Sequence, residues 1–277
     1  MMRDAHNLVS LARKMLILSV LLAFFVACES DTVVTPTSEL VVVRGYLYAG
    51  EPVTDIQITG MFGLSSTDTI GPPIADAQVT LRKNGVSYRL TPSQGAPGFY
   101  HYTGTDLRVE AGDRFELAVG YFDKIATSAT TIPSPPRNVT ISADQLFVRA
   151  NGRGEAETVS VNWQAEPQET FYFVTIKNTE NALQPIDDIR NGLFGRDRTF
   201  RTRPIRLNSY QIRKDDLTYM GEHAVRIYRV NPEYANLYAI SQQDSRNLSE
   251  SESNVENGLG IFTGFSYETV RFTVRRN

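Results

Sequence analysis

The sequence predicts an all-β fold of two tandem β-sandwich modules, and three observations carry that prediction. Helical periodicity is scarce after residue 38. Short runs rich in Val, Ile, Thr, Tyr and Phe recur instead, broken by Gly, Pro and Asn at the spacing of a sandwich or barrel. The stretch "IPSPPRN" (132–138) then divides those runs into two groups. Its three prolines cannot donate ladder hydrogen bonds, so it reads as a connector between modules.

In the first module, "LVVVRGYLY" (40–48) is a strand, and "TDIQIT" (54–59) follows a turn at Gly50, Glu51 and Pro52. "DAQVTLRK" and "VSYRL" flank Asn84 and Gly85, the strongest short hairpin signal, because both residues tolerate positive φ. "GFYHYTG", "DRFELAVGY" and "KIATSATTIP" complete the set. Alternation places Phe115, Leu117 and Val119 on one face of their strand, with Arg114, Glu116 and Ala118 on the other.

In the second module, "ETVSVNWQA" puts Val159, Val161 and Trp163 on one face, and "TFYFVTIKN" supplies the next core strand. Further strands are expected at "FRTRPIRLN", "HAVRIYRV" and "YETVRFTV". "NPEYANLYAISQQD" (231–244) is the one helix, with Asn231 as its cap, Pro232 at the first helical position, and Tyr234, Leu237 and Tyr238 sharing a face. The polar run "QQDSRNLSESESN" reads as a loop. A strand, a lone tryptophan and a following aromatic strand resemble a fibronectin type III sandwich.

The N-terminus reads as an export signal. Arg3, Arg13 and Lys14 precede an almost wholly apolar run from Met15 to Ala27, and that run stops at Cys28, the only cysteine among 277 residues. It is too short for a bilayer-spanning helix, which needs about 20 apolar residues. Two readings remain: a secreted protein with an incidental thiol, or a lipoprotein acylated at Cys28. "FVAC" resembles the bacterial lipobox, with Phe25 where leucine is usual, and that resemblance implies acyl chains such as palmitate on Cys28. Stable anchoring takes two chains or signals, which a multiply acylated cysteine supplies. On this reading the body needs no membrane-binding surface of its own. Glu29, Ser30 and Asp31 follow, then "TVVTPTSE". A flexible tether accounts for this stretch, and acid just past the cysteine also resembles the surface-export signal of Bacteroidota lipoproteins. The expected organisation is therefore a signal peptide over 1–27, a lipidated tether over 28–38, and sandwiches over 39–135 and 136–277.

Composition narrows the function classes. Removing the signal leaves 250 of 277 residues, enough for one large or two ordinary domains. The 41% hydrophobic content argues against disorder. A net charge of −3, with no polybasic run, gives no general affinity for nucleic acid. With Cys28 acylated, no intramolecular disulfide forms, and core burial must hold the domains.

The order of "LVVVRGYLYAGEPVTDIQIT", "PPIADAQVTLRKNGVSY", "GFY", "VEAGDRFELAV" and "ATTIPSPP", then "VSVNWQ", "ETFYFVTIKN" and "NVENGLGIFTGFS", resembles a family of Bacteroidota surface lipoproteins. It is the domain-of-unknown-function family numbered four thousand two hundred and forty-nine. The resemblance covers nearly the whole mature chain. It implies an outer-membrane lipoprotein, often encoded beside a TonB-dependent receptor, with no assigned catalytic residues. The first module also resembles the Ig-like domain of carboxypeptidase-regulatory repeats, which carry no chemistry.

Catalytic patterns are scarce. His101 and His223 lie one per module in strands, without Cys, His or acidic partners at metal spacing. The chain has no Gly-x-Ser-x-Gly elbow, phosphate loop, HExxH or Cys/His pattern. Asp187/Asp188 and Asp215/Asp216 are the visible carboxylate pairs, and a glycosidase would need two acids about 5–10 Å apart; solvated turn residues are the competing reading. The expectation is a non-enzymatic protein without cofactor or metal.

Two stretches are candidate contact surfaces. In "GRDRTFRTRPIRL", Arg196, Arg198, Arg201, Arg203 and Arg206 surround Phe200 and Ile205, either gripping carboxylate or phosphate or keeping an edge strand from pairing. In "TGMFGLSSTDTIGPPI" (59–74), Met61, Phe62 and Leu64 either anchor a partner or fold back over the module. "GLGIFTGFS" carries glycines that permit bulges or turns, and there Ile261 and Phe262 either close the core or meet a ligand. The leading expectation is an accessory subunit of a TonB-dependent outer-membrane receptor, facing the cell exterior and serving nutrient capture or uptake of an unidentified small molecule, peptide or glycan. The alternative is a free-standing glycan-binding or adhesin lipoprotein, which would need an open platform of tyrosines such as Tyr46, Tyr48 or Tyr102.

Overall fold

The computed structural model describes residues 40–61, 70–148, 157–166, 170–186, 197–240 and 253–276. Cys28, Phe62, Leu64, Asp187, Asp188, Arg196 and most of the polar run after the helix lie outside them. Ser38–Asn277 forms one compact unit.

The strands of the first half are β1 (Val41–Tyr48), β2 (Ile56–Gly60), β3 (Gln78–Lys83), β4 (Val86–Arg89), β5 (Thr91–Pro92), β6 (Phe99–His101), β7 (Arg114–Tyr121) and β8 (Lys124–Thr131). Those of the second half are β9 (Thr140–Ile141), β10 (Gln145–Val148), β11 (Val159–Asn162), β12 (Phe171–Asn178), β13 (Thr199–Arg201), β14 (Ser209–Ile212), β15 (Gly221–Val230) and β16 (Leu259–Arg276). Among the described residues one α-helix, α1 (Pro232–Ile240), follows β15. Asn231 does more than start this helix. Its amide donates to Thr130 Oγ1 and to the Thr131 carbonyl, both at 3.0 Å, tying the helix to β8.

A nine-stranded sheet runs β13-β12-β15-β16-β1-β2-β6-β5, with β10 also on β16. A four-stranded sheet (β4-β3-β7-β8) and a three-stranded sheet (β14-β11-β9) complete the fold. Two cores result. Leu47, Ile56, Ile58 and Tyr100 of the large sheet meet Leu81, Phe115 and Leu117 of the four-stranded sheet. Tyr172, Val174, Ile227 and Phe272 of the large sheet meet Val159, Val161 and Ile212 of the three-stranded sheet, with Trp163 beside them. Each is a sandwich core of alternating inward side chains.

A cut at residue 135 does not separate the two cores, because β16 serves both. It pairs parallel with β1 of the first half and antiparallel with β15 of the second. Its buried even positions point to the sandwich interiors, Phe262 into the first core and Phe272 and Val274 into the second. Two glycines allow this sharing. Phe262 lies over Gly45, where an added Cβ would come within 2.8 Å of the ring. Ile132, at the start of the proline connector, crosses Gly264, where an added Cβ would sit 2.7 Å from its Cδ1 and 3.0 Å from its Cα. The glycine-rich stretch enters the strand through a bend at Gly258, holds Gly260 at φ 109°, and uses Gly264 for close approach.

Two short hairpins make a useful pair. Asn84 (φ 51°) and Gly85 (φ 80°) turn β3 into β4 with residues suited to positive φ. Phe122 (φ 51°) turns β7 into β8 in the same left-handed region, which costs a residue with a Cβ roughly 1–2 kcal/mol.

Candidate functional site

The odd positions of β16 face away from the sandwich cores and build a third cluster. Ile261 and Phe265 join Phe173, Tyr228, Val230 and Tyr234 of α1, with Tyr46, Tyr48, Phe171, Leu237, Tyr238 and Tyr267 around them. Register brings them together: Phe173 pairs with Tyr228, Tyr228 with Tyr267, and Phe265 with Tyr48. Phe173 and Tyr228 stack at 4.5 Å, and Tyr48 stacks on Phe265 at 4.9 Å. Tyr234 meets Phe265 edge-on at 4.9 Å, the arrangement that the ring quadrupoles favour.

Guanidinium groups border this layer. Arg206 lies 4.5 Å from the Phe171 ring centroid, Arg201 lies 5.3 Å from that of Phe173, and Arg226 lies 4.5 Å from that of Tyr267. Each such contact contributes about 0.5–1 kcal/mol where exposed. Glu51 accepts the Tyr267 hydroxyl at 2.8 Å and approaches Arg226 at 3.5 Å. Burial pushes the Tyr46, Tyr48 and Tyr234 hydroxyls above the ordinary tyrosine range, so they stay neutral. Arg201 and Arg206 are exposed. A stacked guanidinium keeps its N–H edge for a carboxylate or phosphate.

The structure divides the arginines that the sequence grouped. β13 is an outer strand of the large sheet. Arg201 pairs with Thr175 and falls on the aromatic face, as does Arg206. Phe200 pairs with Ile176 and packs toward the second core instead. Arg198, two residues before Phe200, lines a groove with Asp197, Asp215, Asp216 and His223. Arg203 is exposed. Met61 ends up elsewhere, just past β2, five strands from β13 in the sheet order.

The candidates for chemistry have structural uses. Asp216 Oδ2 accepts the Arg213 N–H and the Tyr210 hydroxyl, both at 3.0 Å, closing the turn at Lys214–Asp216. Burial, and then Asp216, push the Tyr210 hydroxyl up. His223 is buried, stacks on Phe272 at 5.4 Å, and shares a hydrogen bond with the Gly221 carbonyl at 2.9 Å. Its burial lowers its proton affinity. His101 Nδ1 lies 2.9 Å from Ser93 Oγ and tacks the segment after β5 onto β6. Among the described residues, no three His, Cys, Asp or Glu gather in a group that could hold a metal ion.

Of the tyrosines proposed for a glycan platform, Tyr46 packs edge-on against Tyr234 and Phe265, and Tyr48 stacks on Phe265. Tyr102 meets Tyr88 edge-on and donates to Asp106. Sequence reasoning missed Phe171 and Phe173 as members of a separate layer. Their signal was parity: they alternate with Tyr172 and Val174, so one strand supplies two buried faces.

Among solved structures, the chain is similar to the FN1–FN3 domains of chicken CNTN1 at 11% identity and TM-score 0.18, covering 82% of this chain and 64% of that one. It is similar to CBD12 from CALX1.2 at 9% identity and TM-score 0.20, covering 83% and 100%. A chimeric titin Z1Z2 tandem gives 10% identity and TM-score 0.19, covering 84% and 96%. No curated protein matches the chain. The model of the domain of unknown function DUF4249 matches residues 29–271, so the chain belongs to that family.

Proposed function

We propose that this protein is a non-enzymatic, lipid-anchored surface protein of the Bacteroidota outer membrane that serves as an accessory subunit of a TonB-dependent receptor in nutrient capture or uptake. One observation carries the proposal: an apolar run that stops at the single cysteine, Cys28, with acid immediately after it at Glu29 and Asp31. Family membership adds support through the receptor association that the sequence resemblance implies. The aromatic face with Arg201 and Arg206 offers a contact surface that needs no catalytic residue. Its outward N–H groups suit carboxylates on a receptor loop or on the nutrient.

The lipid confines the body to the membrane plane and raises its effective concentration near the receptor, so a modest interface suffices. The test is affinity capture of the tagged mature protein from detergent-solubilised outer membranes. Co-recovery of a β-barrel receptor, weakened by Arg201→Ala together with Arg206→Ala, supports the proposal. Recovery without any such receptor contradicts it.

A further inference from the structure

Eight large hydrophobic side chains are exposed among the described residues, and five of them lie at one end of the molecule: Met61 (42% exposed), Ile70 (49%), Phe122 (73%), Ile125 (59%) and Leu259 (40%). Register fixes their neighbourhood. Gly60, just before Met61, pairs with Val41 and donates to the Pro72 carbonyl beside Ile70. Val42 pairs with Leu259. The Asn257 amide reaches the Ile125 carbonyl at 3.3 Å, and Thr127 bridges to Glu256. Ile125 pairs with Gly120, next to the hairpin tip that carries Phe122. The same end holds the start of β1, where the chain arrives from its N-terminal segment.

Phe122 carries a second anomaly. Its ring is the most exposed of the eight, and its backbone occupies the left-handed region that glycine or asparagine would fill without strain. The hairpin requires the conformation but not an exposed ring in it. Tyr121 sits beside it at 4.4 Å, an amphipathic aromatic of the kind that suits a lipid–water boundary.

We infer that this end is a membrane-contacting rim, with Phe122 and Ile125 seated in the headgroup boundary and Leu259, Ile70 and Met61 beside them. The inference rests on the anchored reading of Cys28. Only residues 29–39 separate that cysteine from Leu40, so a fully extended tether reaches no more than about 40 Å. An apolar rim around the point of tether attachment orients the body on the lipid, with the acyl chains supplying the retention and the rim the tilt. The lipid surface is favoured as occupant because these side chains project from a hairpin tip and strand ends at the anchored end.

The test places an environment-sensitive dye on Phe122→Cys in the full acylated protein, reconstituted in phosphatidylethanolamine/phosphatidylglycerol vesicles containing nitroxide-tagged lipid. Val86→Cys is the control. It is also solvent-facing but lies by the β3–β4 hairpin, at the opposite end of the same sheet. Lipid nitroxide should quench the dye at 122 by about threefold or more over the dye at 86, the depth expected of an interfacial side chain. Phe122→Gly should keep or raise the thermal midpoint while lowering the lipid quenching of a dye placed on Ile125→Cys, a pairing that a purely structural residue would not give. Equal quenching at the two ends overturns the rim, as does a dye at 122 shielded by a protein partner and insensitive to lipid nitroxide. The anchor is read separately: a second dye taken up at Cys28 shows an unacylated thiol. Uptake there overturns the anchored reading and the inference that rests on it; without uptake, the quenching comparison alone decides the rim.

Discussion

The two faces of β16 do different work with one backbone. Its even face carries Phe262, Phe272 and Val274, all buried, and joins two sandwich cores into one unit. Its odd face carries Ile261, Phe265 and Tyr267, where aromatic rings stack on one another and guanidinium groups close the margins. The inner face buries its large apolar side chains in the two cores. The outer face is dry at its centre and wet at its arginine border, so it keeps polar groups available for a partner. A strand that must satisfy two cores cannot change its inner residues freely, and functional variation is confined to the outer ones.

Removing a ring from the inner face should have the largest effect. Phe262→Ala leaves a cavity over Gly45 and should cost about 3–5 kcal/mol. Calorimetry should show a single lowered transition, because β16 belongs to both cores. Two separate transitions would break the comparison, since they would mean that the cores melt independently. Gly264→Val comes next. Its side chain would press on the Ile132 backbone as well as its side chain, at about 1–3 kcal/mol for overpacking, measurable as a shift in the denaturant midpoint.

The outer face should respond more mildly. Arg201→Ala, or Arg206→Ala, loses one cation–π contact and should lower stability by only about 0.5–1 kcal/mol. A loss in chemical denaturation near that of Phe262→Ala would show that the arginine border is part of the core after all. The smallest effect is a pH dependence at His223 on the inner face. Burial holds its folded proton affinity below the ordinary value of 6.5, with the Gly221 carbonyl and Glu180 partly opposing. The unfolded chain therefore binds the proton first, and the stabilisation present above that value is lost as pH falls below it. His223→Gln should flatten the stability-against-pH curve on that acidic side. An unchanged slope would assign the acid sensitivity to other groups.

Much of this fold was legible because its signals are local. Alternation fixed Phe115, Leu117 and Val119 as core, and Asn84–Gly85 marked its hairpin. Pro232 marked the start of α1. The joining of the halves was not legible: the pairing of Val42 with Leu259 spans most of the chain, and no local pattern encodes it. The proline connector looked like a boundary because prolines leave ladders, yet Ile132 at its start packs across β16. For the candidate site, the arginine run was visible but its geometry was not read. Arg198 and Arg201 are three residues apart, an odd spacing that sends strand side chains to opposite faces. The aromatic layer needs four strands in register and the helix α1 before it exists, so residue types alone could not assemble it.

Anchoring at Cys28 is the central claim, and metabolic labelling with radioactive palmitate tests it most directly, comparing the natural chain with Cys28→Ser in the producing cell. Label on the natural chain, none on the variant and release of the variant from the membrane fraction are the predicted result. An unlabelled natural chain, or equal label on both, would contradict the account.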